Sequence, residues 1–433
     1  MKTRKQIVSK RDARESDRAE QGKSGHRIGC SRRTFLGAGG AALAGMTVGA
    51  PFATAANTAP KKVRIGVVGG GFGSDFQWHE HPDCTVQAVS DLRPERRERL
   101  MKVYRCSTAY NSLEELVRDG NIDAVAIFTD GPLHVQHTVE AMKNGKHVIS
   151  AVPAAWGTIE QAELLLDTVK RYGLTYMMAE TGYFQQTTLS ARQFYKEGKF
   201  GHLYYCEAEY QHPGLEVLYF DDGKRTWRYG LAPMHYPTHS TSQLLSVTGE
   251  RLTQVVCTGW GDDSPILKDN AYGNPFWSES AMFRTNRGNA FRVNVWWKGA
   301  LRGCERAQWI GDRMSLYSAH PNGLGPVIVR SGKQMEKDDA GFVRAAPAFE
   351  PYTVPQWWKT DRLPEPLRHS TGHEGSHGFL THEFIDSIMH GRKPAVDVYE
   401  ALAYTVPGII AHQSALREGG QLKIPQFDSP VRA

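Results

Sequence analysis

The chain has 433 residues, of which 40% are apolar and 23% are charged, a composition that indicates a globular protein and excludes disordered, collagenous and coiled-coil chains. Its 52 Lys and Arg against 46 Asp and Glu give a formal charge of +6, but residues 1–33 alone carry 11 basic and four acidic residues. The chain after residue 56 is therefore close to neutral, which argues against nucleic acid or a lipid surface as a partner.

The first 56 residues have the pattern of an export signal. Ser31-Arg32-Arg33-Thr34-Phe35-Leu36 ends a basic region and precedes a weakly hydrophobic stretch rich in Gly and Ala, with an Ala-rich cleavage region at 51–56. This pattern predicts a twin-arginine signal peptide over residues 1–56 and a periplasmic or other extracytoplasmic location. The stretch is too short to span a membrane comfortably, so we expect no membrane contact after cleavage. The route carries folded proteins, which favours a tightly held cofactor.

From Val63 to Met178, short apolar runs alternate with amphipathic helical segments. The runs predict buried parallel strands at Val63–Val68, 86–91, 124–129, 147–149 and 174–178. Helices are expected over 135–143 and 158–172. We therefore predict an α/β fold whose N-terminal domain, residues 60–182, is a Rossmann domain.

The turn after the first strand is the most specific chemical signal. Gly69 allows a tight turn, Gly71 allows close approach of a pyrophosphate, and Gly73 lies next to Ser74, which takes the place of the third glycine. A polar helix is expected to follow. Asp91 ends the second strand, where a carboxylate accepts hydrogen bonds from a ribose diol and repels a 2′-phosphate. The pattern therefore predicts NAD rather than NADP as the cofactor.

After residue 185, long alternating strands predict a second domain over residues 183–427, of α+β type with a mostly antiparallel, open-faced sheet. Strands are expected at 202–212, 252–260, 281–285 and 290–297. Residues 318–372 show poor periodicity and are expected to form surface excursions, before helices at 378–389 and 399–418. The six cysteines form no CxxC pattern or Cys/His cluster, so no metal site is predicted.

The order of these features resembles the Gfo/Idh/MocA oxidoreductases over residues 62–427. The resemblance rests on the glycine-rich turn, Asp91, the segment from Thr129 to His134, and Gly145-Lys146-His147-Val148 ahead of Pro153. It implies that Phe72, Thr129 and His134 join the glycines in binding NAD. It also implies that a sugar or polyol binds on the open face of the second domain, and that the protein is a homo-oligomer.

That family usually has Glu-Lys-Pro after the fifth strand, with the Lys beside the nicotinamide, whereas residues 151–153 here are Ala-Val-Pro. Val152-Pro153-Ala154-Ala155 instead resembles glycoside hydrolase family 109, an NAD-dependent branch that usually has Glu at the position of Ala151. Further similarity lies in Tyr183, Tyr210-Gln211-His212, Tyr236-Pro237-Thr238-His239 after Arg228, and Gly372-His373-Glu374-Gly375. The resemblance implies catalytic roles for His239, Tyr236 and Tyr183, and places Arg228 and His373 at the substrate.

The residue chemistry agrees with these roles. Tyr236 and His239 are three residues apart, so both would face one substrate if a helix begins near Pro237. Phenol and imidazole form a credible acid and base pair. Glu180, at the end of a parallel strand, is expected to bind substrate in place of the carboxylate missing at Ala151. His212 is also expected to bind substrate. For each of these side chains the alternative is a hydrogen-bonded structural role.

The leading interpretation is a carbohydrate-active enzyme that uses bound NAD for hydride transfer at a ring hydroxyl. In a redox-neutral glycosidase, oxidation would be followed by elimination of the glycosidic oxygen, addition of water and return of the hydride. One alternative is a sugar or polyol dehydrogenase that releases the oxidised product. A second alternative is a non-catalytic sugar-binding protein.

Overall fold

The computed structural model describes residues 62–300 and 303–428. The segment for which the sequence predicts an export signal, residues 1–56, lies outside the described residues. Among the helices in the described ranges, none is long and apolar enough to cross a membrane.

The N-terminal domain is built on six parallel strands in the order β3-β2-β1-β4-β5-β6. The strands are β1 (Val63–Val68), β2 (Cys84–Ser90), β3 (Ala109–Tyr110), β4 (Ala124–Ile127), β5 (His147–Ser150) and β6 (Tyr176–Met178). The helices are α1 (Pro94–Tyr104), α2 (Leu113–Leu116), α3 (His134–Lys143) and α4 (Ile159–Tyr172), and α5 (Gln186–Lys196) follows at the start of the second domain. The strand order reverses between β1 and β4, and open parallel sheets bind ligands at the carboxyl edge of such a reversal.

Local sequence explains the limits of the longest of these helices. The Thr158 side chain accepts a hydrogen bond from the backbone N–H of Gln161 and so caps the first turn of α4. Gly173 ends the helix with φ +62°, a left-handed conformation that glycine adopts without strain. The strands and helices predicted for residues 63–178 are confirmed by the observed elements. Most of their ends differ from the predicted ones by one or two residues.

The expected polar helix after the glycine-rich turn is wrong. The chain forms only a four-residue 3₁₀ helix, Phe72–Asp75, and then runs as a loop to β2. The physical reason is apolar anchoring, because Phe76 and Trp78 are fully buried and Trp78 packs edge-to-face on Phe384 of the C-terminal domain. An α-helix continuing from Phe72 would not bring both rings to that core.

The second domain contains a nine-stranded sheet in the order β16-β15-β14-β13-β7-β12-β11-β10-β17. Its strands are β7 (Leu203–Gln211), β10 (Leu252–Trp260), β11 (Ser278–Thr285), β12 (Ala290–Trp296), β13 (Cys304–Gly311), β14 (Met314–Tyr317), β15 (Val327–Lys337), β16 (Val343–Pro351) and β17 (Leu422–Lys423). A separate short hairpin pairs β8 (Phe220–Asp221) with β9 (Lys224–Arg225). Only β7 and β12 pair in parallel among the described strands of the large sheet, so a mostly antiparallel sheet is confirmed.

Four helices complete the domain: α6 (Thr238–Thr248), α7 (Pro265–Lys268), α8 (Ser376–Met389) and α9 (Val398–Ala415). Helix α6 packs on β7, β12 and β13. Helix α9 approaches the segment Met234–Pro237 very closely at Gly408, where a Cβ would lie 2.2 Å from the Met234 carbonyl oxygen. Glycine is therefore required at position 408 for α9 to support this segment.

The sequence predicts only surface excursions for residues 318–372, and this prediction is wrong in part. The structure places the long hairpin β15–β16 there, at one edge of the sheet. Phe342, Val343 and Phe349 are each more than 60% exposed. The strands therefore lack the alternating burial that marks a strand in sequence, and backbone pairing rather than core packing defines them.

Candidate functional site

A cleft of about 790 Å³ lies between the two domains. The predicted site residues that line it are Gly71, Phe72, Thr129, His134, His212, Arg228, Tyr236, His239 and His373. The sugar was expected on the open face of the second sheet, but Tyr210 lines this cleft from the face of β7 on which α6 packs. The open face instead carries ion pairs such as Arg292–Glu207, at 2.7 Å.

The glycine-rich turn has the shape that a pyrophosphate requires. Gly69 has φ +99°, and a Cβ there would lie 2.2 Å from the Phe128 carbonyl oxygen, so only glycine fits. A Cβ on Gly73 would lie 2.8 Å from the Phe128 ring. At Gly71 the space is open to the cleft, with the Arg96 Nη1 atom 3.9 Å away as the nearest neighbour. Gly69 and Gly73 thus shape the turn, and Gly71 leaves the backbone accessible to a ligand.

Asp91 holds this turn against the end of β2. Its Oδ2 atom accepts a hydrogen bond from the backbone N–H of Gly70 at 2.6 Å, and Oδ1 accepts one from the N–H of Arg93 at 2.9 Å. Each carboxylate oxygen can accept a further hydrogen bond, so the ribose role predicted for Asp91 is compatible with this arrangement.

The carboxyl ends of β4 and β5 form the floor of the cofactor half of the cleft. The two ring nitrogens of His134 lie 2.9 Å from the Pro153 carbonyl oxygen and 3.1 Å from that of Thr129, so this ring ties the two strand ends together. Burial lowers the pKa of His134. Ala151 and Val152 line the cleft at the positions where the resembling families have Glu and Lys.

His239 forms a buried ion pair with Glu180. It lies in the first turn of α6, and its Nδ1 atom is 3.0 Å from Glu180 Oε1 and 3.3 Å from Thr181 Oγ1. The backbone N–H of Gly182 donates to the same Glu180 oxygen at 2.7 Å. Because Nδ1 is engaged by Glu180, Nε2 is the ring nitrogen left to exchange a proton with a ligand in the cleft.

Charge neighbours outweigh burial in setting the protonation of this pair. Burial alone would lower the pKa of His239, but the carboxylates of Glu180 and Glu305 raise it to about 9. Burial alone would raise the pKa of Glu180, but the His239 charge and hydrogen bond bring it below the usual value. His239 is therefore an imidazolium at neutral pH, able to donate a proton.

Tyr236 stands beside His239 in the cleft wall, with ring centroids 5.4 Å apart. It directly follows the 3₁₀ helix Pro233–His235, and α6 begins at Thr238, so the expected helix start near Pro237 is confirmed. Burial raises the pKa of the Tyr236 phenol, and Arg228 opposes this rise. The Arg228 guanidinium carbon lies 4.1 Å from the centroid of the Trp227 ring, which fixes the cation in the cleft.

His212 and His373 line the cleft from the end of β7 and from the turn before α8. His212 Nδ1 is buried and has no hydrogen-bond partner among the described residues. His373 has φ +48°, and its Nδ1 atom lies 2.8 Å from His377 Nε2. Burial, with the nearby His377 and His239, lowers the pKa of His373 to about 4, so this ring is neutral. No group of three or more His, Cys, Asp or Glu suited to a metal occurs in the part of the chain that the structure describes.

Two of the residues predicted for catalysis or substrate binding lie behind the cleft rather than in its wall. Glu180 is completely buried and reaches the cleft only through His239, so the structure places it as a partner of that ring rather than of a substrate. The ring of Tyr183 packs under Arg192, whose guanidinium carbon is 3.8 Å from the ring centroid. Within the described residues Tyr183 is not part of the cleft lining. Its catalytic role stays a prediction.

Sequence reasoning did not single out Glu305 of β13. Glu305 is paired in register with Tyr210, accepts a hydrogen bond from Gln185 Nε2 at 2.5 Å, and contributes to the raised pKa of His239. Burial raises the pKa of Glu305 itself. An acidic residue in a strand that also carries the buried Ala307 and Trp309 is the one signal that could have marked it.

Parts of the chain are similar to known protein families. Residues 63–180 match the family model of the oxidoreductase family with an NAD-binding Rossmann fold, called Gfo/Idh/MocA. Residues 332–430 match the model of the glycosyl hydrolase 109 C-terminal domain. Proteins named glycosyl hydrolase family 109 protein are 25% identical in Streptomyces coelicolor, over 92% of this chain and 94% of that one, and 24% identical in Shewanella sp. strain ANA-3, over 92% and 95%.

Solved structures confirm the fold. Scyllo-inositol dehydrogenase from Lactobacillus casei, with bound NAD(H) and scyllo-inositol, is 18% identical with a TM-score of 0.62, covering 84% of this chain and 99% of that one. Levoglucosan dehydrogenase in complex with NADH and levoglucosan is 17% identical with a TM-score of 0.66, covering 84% and 100%. The chain therefore combines an NAD-binding Rossmann domain that matches the Gfo/Idh/MocA oxidoreductase family with a C-terminal region that matches glycosyl hydrolase family 109.

Proposed function

We propose that this protein cleaves glycosides without net oxidation, by oxidising a ring hydroxyl, eliminating the glycosidic oxygen, adding water and reducing the product again. The observation that carries the proposal is the buried His239–Glu180 pair beside Tyr236 in the cleft, combined with Val152 where a dehydrogenase of this type would have Lys. When bound, NAD supplies the hydride acceptor and later the hydride donor.

The protein's own groups divide the proton transfers between them. A ketone at C3 of the sugar acidifies the proton at C2, which a base must remove while the leaving oxygen receives a proton. His239 Nε2, on a ring with a pKa of about 9, holds the proton that the leaving oxygen needs. We assign the base to the Tyr236 oxygen in its phenolate form; burial raises the pKa of this phenol, and the adjacent Arg228 cation opposes the rise.

This assignment narrows the sequence-based expectation, which left the base open between His239 and Tyr236. Its raised pKa makes His239 the positively charged proton donor of the two, which moves it to the acid side. Glu180 then stabilises the imidazolium and orients it through Nδ1, without contact with the substrate.

Carbohydrate as the substrate class is supported by the lining of the cleft. Trp227 and Tyr210 contribute aromatic rings to the lining, while Arg228 and His212 contribute polar groups, a combination suited to the C–H faces and hydroxyls of a sugar. The solved neighbours include complexes with scyllo-inositol and levoglucosan, both polyhydroxylated rings. The relatives named glycosyl hydrolase family 109 favour cleavage, whereas these neighbours favour a dehydrogenase as the second candidate.

The deciding experiment follows deuterium at two positions of the sugar during turnover of aryl glycosides, with purified protein and no added cofactor. Cleavage with deuterium incorporated from heavy water at C2, and with a C3 deuterium label retained, supports the redox-neutral route. Stoichiometric NADH and loss of the C3 label would establish the dehydrogenase. If a broad panel of sugars gives neither cleavage nor reduction of NAD, the result would favour a non-catalytic sugar-binding protein.

Variants of the site separate the proposed roles. His239→Ala is expected to lose cleavage while some reduction of bound NAD persists, because removing a proton from carbon and protonating a leaving group need more help than hydride transfer. His320→Ala, on an exposed turn remote from the cleft, is the matched control. Unchanged cleavage by His239→Ala would exclude the acid role.

A further inference from the structure

The glycine-rich turn must hold a pyrophosphate without a long helix behind it. In Rossmann domains the pyrophosphate usually lies at the N-terminus of an α-helix, whose backbone N–H groups and dipole compensate its negative charge. Here the turn leads into a four-residue 3₁₀ helix that ends in Asp75, itself an acid. The charge compensation must come mainly from side chains.

Four arginines lie on or next to the first turns of α1, close to this turn, and three are already engaged. Arg93 forms an ion pair with Asp221 of the β8–β9 hairpin. Arg97 Nη1 donates to the Asp91 carbonyl oxygen at 2.9 Å, and Arg99 lies 3.6 Å from Asp75. The charges of Arg93 and Arg99 are therefore compensated by carboxylates, and the guanidinium of Arg97 is directed at the Asp91 carbonyl oxygen.

Arg96 differs from these three. Its guanidinium has no ion pair or hydrogen bond to any residue in the ranges 62–300 and 303–428, and it lines the cleft. Its Nη1 atom is the nearest atom to the open side of Gly71, at 3.9 Å from the position of a Cβ. The Arg96 backbone also lies against the turn, since a Cβ on Gly70 would lie 2.5 Å from the Arg96 carbonyl oxygen. The glycines thus bring the first turn of α1 against the phosphate-binding turn.

We propose that Arg96 binds the cofactor through a phosphate, and specifically through the pyrophosphate. A guanidinium supplies paired N–H donors in a plane that matches two phosphate oxygens, and its charge does not depend on pH in the working range. The 2′-phosphate of NADP is the other anionic group that could reach an arginine in this region. It is disfavoured as the target because the Asp91 carboxylate, the predicted partner of the ribose, would repel it.

Binding measurements test this directly, and they need no turnover, so the result is independent of the proposed glycosidase chemistry. Calorimetry would compare NAD, ADP-ribose and NADP, with adenosine as a phosphate-free ligand in competition with NAD. Arg96→Gln should weaken NAD and ADP-ribose by the same factor, about 10- to 100-fold, with adenosine unchanged. Arg96→Lys should recover part of the loss, because it restores the charge without the planar pair of donors.

Lys102→Gln is the matched control, since it removes the same charge from the last turn of the same helix, at an exposed position outside the cleft. It should leave all affinities within about twofold. Equal affinity of wild type and Arg96→Gln for NAD would overturn the proposal. A loss confined to NADP would assign Arg96 to the 2′-phosphate, and an equal loss for adenosine would assign it to the base or ribose. Thermal unfolding of each variant shows whether the fold is retained.

Discussion

Glu180 Oε1 lies 3.0 Å from His239 Nδ1, and the two side chains are 0% and 7% exposed. Removing the carboxylate while keeping its shape, as in Glu180→Gln, takes away the main group that raises the histidine pKa. Burial, which lowers that pKa, then dominates. The His239 pKa is therefore expected to fall from about 9 to below its usual 6.5, as measured by NMR titration of the ring nitrogens. A titration of His239 that stays near 9 in this variant would contradict the assignment.

The same pair predicts a pH dependence of stability. The folded-state pKa of His239 lies above the unfolded value of 6.5, so its contribution is complete below pH 6.5 and is lost as pH rises to about 9. Urea unfolding of wild type should show this decline, and Glu180→Gln should lack it. Glu279→Gln, in the separate buried pair Glu279–His412, is the control and should retain it.

Gly182 lets the turn that carries Glu180 contact α6. A Cβ there would lie 2.6 Å from Ser242 Oγ and 2.7 Å from the His239 carbonyl oxygen. Gly182→Ala should therefore cost about 1–3 kcal/mol in the free energy of unfolding and displace Glu180 from His239. Gly120→Ala, where a Cβ meets nothing within 4 Å, is the control and should be near neutral. Chemical denaturation measures both, and equal stability of the two variants would contradict the close contact.

Two glycines of the same turn should fail in different ways. Gly71→Val is expected to keep its stability, because the space at Gly71 is open, yet to lose binding of NAD and NADP, because the side chain occupies the approach of the pyrophosphate. Gly69→Val should be destabilised, since residue 69 has φ +99° and faces the Phe128 carbonyl oxygen. Calorimetry and thermal unfolding distinguish the two, and full NAD affinity in Gly71→Val would refute the pyrophosphate site.

Cofactor preference should follow Asp91. Its carboxylate favours a ribose diol and repels a 2′-phosphate, so wild type should bind NAD more tightly than NADP. Asp91→Ala should narrow this preference and weaken both ligands, because the hydrogen bonds to the Gly70 and Arg93 N–H groups are lost as well. Tighter binding of NADP than NAD by wild type in calorimetry would show that Asp91 was misassigned.

Export is predicted from the sequence alone. Arg32→Lys combined with Arg33→Lys should leave the unprocessed precursor in the cytoplasm, since a lysine pair is a poor substitute in a twin-arginine signal. Cell fractionation and immunoblotting follow the precursor. Normal processing of the double variant, or export in cells blocked only in twin-arginine transport, would refute the signal.

Five of the six described strands of the first domain could be predicted because they are mostly apolar and buried, whereas the two-residue β3, with Ala109 exposed, was not predicted. The β15–β16 hairpin could not, because its exposed Phe342 and Phe349 and its polar residues share no periodicity. The helix expected after the glycine-rich turn failed for a related reason. Its course is decided by the burial of Phe76 and Trp78 against the other domain, a contact more than 300 residues away along the chain.

The predicted site residues that line the cleft were found because their chemistry is local. Tyr236 and His239 are three residues apart, on either side of the start of α6, and the glycines follow one strand. The contact of Glu180 with His239 joins two segments 59 residues apart and appears only in three dimensions. The same holds for Glu305, whose relation to the site depends on the register of β13 with β7.

The close approach of Gly408 to the Met234 carbonyl bears on how the protein matures. The segment with Tyr236 receives its support from the last long helix of the chain, so a nascent chain on the ribosome cannot complete the cleft until α9 has emerged. Truncated products that end before α9 would lack a finished site. If the predicted twin-arginine signal directs export and only folded chains are accepted, only molecules with an assembled cleft would cross the membrane.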